Sequence, residues 1–249
     1  VYWGSERSVL ASDAFNQFAN FHGSFRRVLT GENSLFYLWD TSLGLNYWAF
    51  ISYYLGGIFT PLVLFFPMGQ MAQALYVLTL VKVGCAGLAF AVYASHTFRI
   101  NRWYIPALSS AYALMSFVGA LTEIIMWLDT FVWLPLIILG INRVMEKGKP
   151  WLLFIAYFAM FVTNFYMGFI VGVFSFLYFL ARLVVVSSHR KQAAIAYLST
   201  ALLSGLASFI MILPTVLDLV NNGEQTDQIL RIKTQATGWL DLLMKNMVG

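Results

Sequence analysis

The sequence predicts an all-α fold, a polytopic transmembrane helical bundle with an outer loop bearing membrane-surface helices. Three observations predict it. Of 249 residues, 60% are apolar and only 10% are charged, against roughly 25% charged in ordinary soluble chains. Six stretches meet or approach the roughly 20 apolar residues that a helix needs to cross the hydrocarbon. None of them alternates with the period of two that a membrane barrel requires. Aromatic residues reach 17%, with 8 Trp and 13 Tyr, as suits rings held at the two membrane interfaces.

From the N-terminus, residues 1 to 48 are too polar for lipid and too aromatic for a disordered tail. Ser12-Asp13 precedes Ala14 to Leu29, which reads as a helix ended near Gly31. Asp40-Thr-Ser-Leu-Gly-Leu-Asn46 is turn chemistry set between Trp39 and Trp48. Residues 49 to 66 are apolar, but Gly56, Gly57 and Pro61 interrupt them, which predicts an interfacial or re-entrant helix packed on protein. Six spans follow, at 71 to 95, 104 to 121, 124 to 141, 151 to 164, 166 to 186 and 193 to 217; the fourth is short and the third contains Asp129. The expected organisation is an extracytoplasmic loop over 1–70, a transmembrane bundle over 71–217, and the start of an extracytoplasmic segment over 218–249. No repeat, Pro-rich linker or low-complexity tract divides the chain. It begins Val-Tyr-Trp-Gly, without Met or the features of a signal peptide. A fragment is therefore expected, with a span before Val1 and further elements beyond Gly249.

The connecting loops assign sides. Loops 96 to 103, 142 to 150 and 182 to 192 carry Arg99, Arg102, Arg143, Lys147, Lys149, Arg182, Arg190 and Lys191, eight of the fifteen basic residues, and only Glu146 of the eleven acids. The alternate connections, Thr122-Glu123 and Asn164 to Met167, carry no basic residue. The positive-inside rule makes the three basic loops cytoplasmic and places residues 1 to 70 outside. The net charge of +4 then reports topology, and nucleic acid is excluded as a partner. The lone Cys85 permits no internal disulfide.

Candidate chemistry gathers in the outer loop, and each residue has a plain alternative. Asp13 is either the N-cap of the helix after it or a carboxylate acting as general base or metal ligand at the membrane surface. Arg26 and Arg27 either complement the helix dipole or grip a lipid phosphate with the guanidinium fork. The turn with Asp40 and Asn46 can line a sugar pocket in which a Trp or Tyr stacks on the ring; interfacial belts explain the tryptophans equally well. Lys82, Glu123 and Asp129 lie in or at the edge of the bundle, where a charge marks function or an internal pair. A direct Lys82–Asp129 pair is open. Glu123 is expected to share a site with Asp13, and Lys82 to be structural. Gly168 and Gly172 form a small-xxx-small pair, most simply a close helix contact. His96 and His189 read as solvated loop residues. The sequence has no P-loop, dinucleotide fingerprint, nucleophile elbow or zinc spacing.

Several runs together resemble the bacterial YfhO-type membrane proteins: Ser12-Asp13-Ala-Phe-Asn-Gln17-Phe, then Gly31, then Tyr37-Leu-Trp39-Asp-Thr-Ser-Leu-Gly44-Leu-Asn46, and Tyr53-Tyr54 through Pro61 to Phe66-Pro67. Leu134-Pro135-Leu-Ile-Ile-Leu-Gly140 and Asn164-Phe-Tyr166-Met-Gly168 extend the resemblance over most of the chain. That family looks like the GT-C superfamily of polytopic glycosyltransferases, which move sugar from a polyprenyl-phosphate carrier to an acceptor outside the cytoplasmic membrane. The resemblance implies an essential acid in the first outer loop, at Asp13. It implies that Asp13, with Glu123, deprotonates or orients an acceptor hydroxyl, that Arg26 or Arg27 stabilises the departing phosphate, and that the anomeric centre inverts. Gln17, Asp40, Asn46, Asn164 and Tyr166 are the expected substrate contacts. Some enzymes of that superfamily use a divalent cation at the acidic site and others do not; one clear acid in the loop motif speaks against tight metal binding. Teichoic acids or other envelope polymers are the implied acceptors, in a bacterial plasma membrane. Two rival classes are a transporter or flippase, which needs a polar path across the bilayer, and a noncatalytic scaffold.

Overall fold

The structure, a computed structural model, describes residues 13–39, 44–185 and 190–221. Asp40 and His189 lie outside the described residues, as does 222–249 of the expected C-terminal segment. A π-helical turn, Ala14–Phe18, leads into α1, Ala19–Leu29. Gly31 ends it with φ of 82°. The Gly31 amide donates to the Val28 carbonyl at 3.0 Å and the Glu32 amide to Arg27 at 2.8 Å, the paired bonds that close a helix through a left-handed residue. A short antiparallel pair, β1 (Tyr37–Leu38) with β2 (Leu45–Asn46), then sets the register of α2, Tyr47–Tyr54. The helical character of 49–66 breaks where the glycines predicted. After α2 the chain turns through Gly56 and Gly57 and resumes as a 3-10 helix, Thr60–Phe65, with Pro61 in its first turn. A Cβ on Gly56 would stand 2.2 Å from the Val162 carbonyl oxygen, so only a bare backbone can make this turn.

The bundle follows as α3 (Met71–Thr97), α4 (Tyr104–Ala113), α5 (Ser116–Ala120), α6 (Asp129–Lys147), α7 (Trp151–Thr163), α8 (Phe165–Val185), α9 (Arg190–Ala207) and α10 (Phe209–Asn221). Three helices are individually long and apolar enough to cross a membrane, Met68–Thr97, Ile125–Lys147 and Phe165–Val185. The pair Arg190–Ala207 and Phe209–Asp218, bent by 66°, makes a fourth if it is one span. Three of the six expected spans are therefore not continuous crossing helices, 193–217 being this bent pair. The stretch 104–121 divides into α4 and α5, and 151–164 is a helix of 13 residues, roughly 20 Å long at 1.5 Å per residue. Its end at Thr163 meets the Gly56 turn, where an added Cβ would lie 3.0 Å from the Thr163 carbonyl oxygen.

The central helix is α6, 78% buried over its most apolar window against 33% for α3 and 22% for α8. Gly140 lets α7 approach, since a Cβ there would lie 2.8 Å from the Leu153 backbone. Gly168 is crowded by Phe161, at 2.9 Å from an added Cβ, while Gly172 faces open space, so the small-residue pair makes its contact at one position only. Between α7, α8 and α9 the Tyr157 hydroxyl meets Ser175 Oγ at 2.7 Å and the Tyr197 hydroxyl at 2.9 Å.

Two helices contain an internal proline, which leaves the carbonyl four residues earlier without its helical donor. Both carbonyls are supplied from another element. Below Pro135, the Tyr112 hydroxyl donates to the Phe131 oxygen at 3.1 Å. Below Pro214, Trp48 Nε1 donates to the Ile210 oxygen at 2.9 Å, joining α2 to α10. The break between α9 and α10 falls at Ser208, whose hydroxyl bonds back to the Ser204 carbonyl at 2.7 Å, a contact that bends helices.

The C-terminal ends of α3, α6 and α8 come together. Tyr178 donates to Asn142 Oδ1 at 2.9 Å, Arg182 pairs with Glu146 at 3.2 Å, and Tyr93 lies within electrostatic reach of both Tyr178 and Arg182. Residues 13–39 and 44–66 pack at the opposite end, against the N-terminal half of α3 and the start of α6.

Candidate functional site

At the end opposite the basic loops, α2 presents an aromatic platform. Tyr54 stacks on Phe50 at 4.7 Å and meets Tyr53 edge-on at 4.6 Å. Tyr53 lies 6.3 Å from Tyr166, and Tyr166, 43% exposed, stacks on Trp127 at 6.0 Å. Asn164 fixes one edge of this row. Wholly buried, it donates from Nδ2 to the Tyr53 carbonyl at 2.8 Å and accepts the Met167 amide on Oδ1 at 2.8 Å, capping α8. Its carboxamide is thus committed to the backbone on both sides.

Asp13 borders the platform and is exposed. It stands at the N-cap position of the π-helical turn, but with helical φ of −65° and ψ of −31° its carboxylate caps no amide. It accepts instead from Gln17 Nε2 at 3.4 Å. Burial pushes the Tyr54 hydroxyl above the ordinary tyrosine range, and the neighbouring Tyr53 hydroxyl and the Asp13 carboxylate act in the same direction. Asp13 is therefore close enough to Tyr54 to be felt there. Glu123 lies half-buried on the turn Leu121–Glu123, beside the turn Ile125–Trp127 that carries Trp127. Asn46 uses its side chain to cap α2, accepting the Ala49 amide at 3.3 Å.

Two cavities, each of about 350 Å³, adjoin this end. One is almost wholly apolar, bounded by Phe117, Trp127, Thr130, Phe131, Tyr166 and Phe174. It opens beside the exposed apolar face of α8, at Phe169, Ile170 and Val173, and Tyr166 and Trp127 belong both to it and to the platform. The other lies between α1 and the start of α3 and is half polar, with Asn16, Asn20 and Arg27 on its wall. The two arginines thus part company. Arg27 faces a cavity, whereas Arg26 donates from Nε to the Phe66 carbonyl at 2.8 Å and ties α1 to the chain entering α3.

The two charges at membrane depth meet. Lys82 Nζ lies 2.6 Å from Asp129 Oδ2 and donates also to the Ile125 carbonyl at 3.0 Å; both side chains are almost fully buried. The Gly57 turn lies over this pair, where an added Cβ would be 3.0 Å from Asp129 Oδ2 and 3.3 Å from Thr60 Oγ1. His22 is buried above it, donating from Nδ1 to the Phe18 carbonyl at 2.7 Å. Burial lowers its pKa to about 4, opposed by the Phe18 bond and reinforced by the charge of Lys82, so the ring is neutral at ordinary pH.

Among the described residues, no group of three or more His, Cys, Asp or Glu side chains stands together as metal ligands. The platform residues Tyr53, Tyr54 and Trp127 were not candidates by sequence, because aromatic residues are too common in this chain to single any of them out. The polar stripe that runs from the π-helical turn onto α1 was legible in principle, since Asn16, Asn20, Gly23 and Arg27 recur at close to helical spacing. A family model for the bacterial membrane protein YfhO matches residues 1–249. No curated protein and no solved structure matches the chain.

Proposed function

This chain belongs to the YfhO family of bacterial membrane proteins, and from that premise we propose that it is a membrane glycosyltransferase. It moves a sugar from a polyprenyl-phosphate donor to an envelope polymer such as a teichoic acid, on the outer face of the plasma membrane. The observation that carries this reading is the meeting, at one end of the bundle, of an exposed carboxylate, an aromatic row and an apolar cavity that opens toward lipid. A lipid chain enters that cavity from the bilayer along α8, which brings its phosphate-linked sugar beside Tyr166 and Tyr53. Asp13 takes the proton of an acceptor hydroxyl. The oxygen then bonds to the anomeric carbon as the carbon–oxygen bond to phosphate breaks, and that electron pair leaves on the phosphate. Inversion follows from the single displacement.

The charge bias of the loops favours an outward-facing site, since the platform lies opposite the ends that carry the basic residues. A transporter is the weaker reading. Lys82 and Asp129, the charges such a path would use, are closed on each other beneath the Gly57 turn. The test is Asp13→Asn in the full protein, with envelope polymers weighed by mass spectrometry. A general base contributes about 10²–10⁴ in rate, so glycosylated polymer should fall to background while expression and membrane insertion persist. Wild-type glycosylation in that variant removes Asp13 from the reaction.

A further inference from the structure

The apolar cavity that opens along α8 has two polar groups in its wall that nothing satisfies. Thr130, in the first turn of α6, and Trp127, three residues earlier, both line it. The Thr130 hydroxyl and the Trp127 indole N–H are buried, and neither has a hydrogen-bond partner among the described residues. Other threonines of the bundle behave differently. Thr79, Thr163, Thr200 and Thr215 each donate to the carbonyl four residues earlier. The corresponding residue for Thr130, Met126, lies in the 3-10 turn before α6, so no helical carbonyl stands beneath the hydroxyl. A threonine in a helix divides between two rotamers, which leaves this hydroxyl able to turn toward the cavity. An unmet donor in hydrocarbon is costly, and a cavity this apolar holds water poorly.

The cavity is also ordered by depth. Trp127, Thr130 and Tyr166 stand at the end opposite the basic loops, whereas Leu134 lies one turn further along α6 and Phe174 further along α8. Phe174 is roughly 12 Å beyond Tyr166 at 1.5 Å per residue. Donors at the rim with hydrocarbon below them match an acyl chain that points into the bilayer and carries its ester at the top. From this arrangement we propose that the cavity binds an ester-linked glycerolipid from the leaflet at that end, its chain between α6 and α8 and its carbonyl oxygen accepting from the Thr130 hydroxyl and the Trp127 N–H. An ester carbonyl is an acceptor flanked by hydrocarbon, which is what two donors in an apolar wall require. A polyprenyl chain carries no acceptor along its length and meets neither donor. The inference goes beyond the transferase reading. At about 350 Å³ the cavity lies at the lower end of small-molecule sites and takes one chain at a time, so the glycerolipid is its resting occupant and yields to the chain of the donor.

The full chain in dodecyl maltoside micelles is offered an equimolar mixture of phosphatidylglycerol and its ether-linked analogue, which keeps the head group and chains and lacks only the carbonyls. The bound ratio is read by mass spectrometry of the intact complex. Thr130→Val replaces the hydroxyl with a methyl of the same shape, and Trp127→Phe removes the N–H while keeping an aromatic ring. Two ordinary hydrogen bonds should favour the ester about tenfold in the wild type. Each variant should cut that preference to about threefold and the double variant should abolish it. The ether lipid should bind all four proteins equally, because the cavity itself is intact. Equal binding of ester and ether by the wild type overturns the proposal, as does a preference that survives the double substitution. Loss of both lipids together in the variants, or failure of the wild type to bind either, also overturns it. Asp13→Asn keeps the two readings apart, because the ester preference persists in it whether or not transfer is lost.

Discussion

Lys82 and Asp129 would each be costly alone in the interior of a membrane protein. Together, at 2.6 Å and with Lys82 also bonded to the Ile125 carbonyl, they neutralise one another, although Asp129 Oδ1 is buried without a hydrogen-bond partner among the described residues. Breaking such a pair by removing one partner leaves a buried charge without compensation, at a cost of about 3–5 kcal/mol, whereas replacing both with apolar residues is often neutral. Lys82→Met or Asp129→Leu alone should therefore unfold at clearly lower temperature in detergent, and the double variant should recover most of the loss. Single variants that melt with the wild type would sink this account. The rarity of charge within spans singles out both residues in the sequence. Their pairing is not legible there, because 47 positions separate them and nothing local relates them. The same holds for Asn164 and Arg26, whose side chains are spent on the carbonyls of Tyr53 and Phe66.

Among the helices, those with internal prolines depend most on their neighbours. Pro135 stands in α6, the most buried helix of the bundle, and the Phe131 carbonyl it frees accepts the Tyr112 hydroxyl from α4. An unsatisfied carbonyl at such depth has no water to turn to. Tyr112→Phe should cost about 1 kcal/mol of stability, as for an ordinary hydrogen bond lost. The cost should shrink in a Pro135→Ala background, where the restored amide supplies the carbonyl. Equal costs in both backgrounds, measured by thermal unfolding of the four proteins, would break the link between the proline and the tyrosine. The prolines are visible in the sequence as interruptions of two apolar runs. Which donors answer them is a matter of which helices touch. Length behaves similarly: the 13 residues of α7 read as a marginal span, and only packing reveals that the Gly56 turn abuts its C-terminal end.

For the molecule as a membrane-embedded whole, the sidedness drawn from the basic loops can be tested directly. In a chain with Cys85 replaced by Ala, a cysteine at Glu123 should react in intact cells with an impermeant maleimide, and one at Lys147 should not. The reverse labelling would invert the topology and remove the outward-facing site. Composition and periodicity determined by themselves that the surrounding medium is lipid, that the elements are helices, that the basic residues collect in alternate loops, and that the apolar run 49–66 breaks at its glycines. Each of these depends on residues near one another in the chain. Tertiary structure alone decided that two distant charges neutralise each other, that Arg27 faces a cavity while Arg26 does not, and that Asp13 borders a row of aromatic rings drawn from α2, α8 and the turn before α6. Those outcomes are contacts between segments dozens of residues apart, selected by which buried polar groups can satisfy one another where no water reaches.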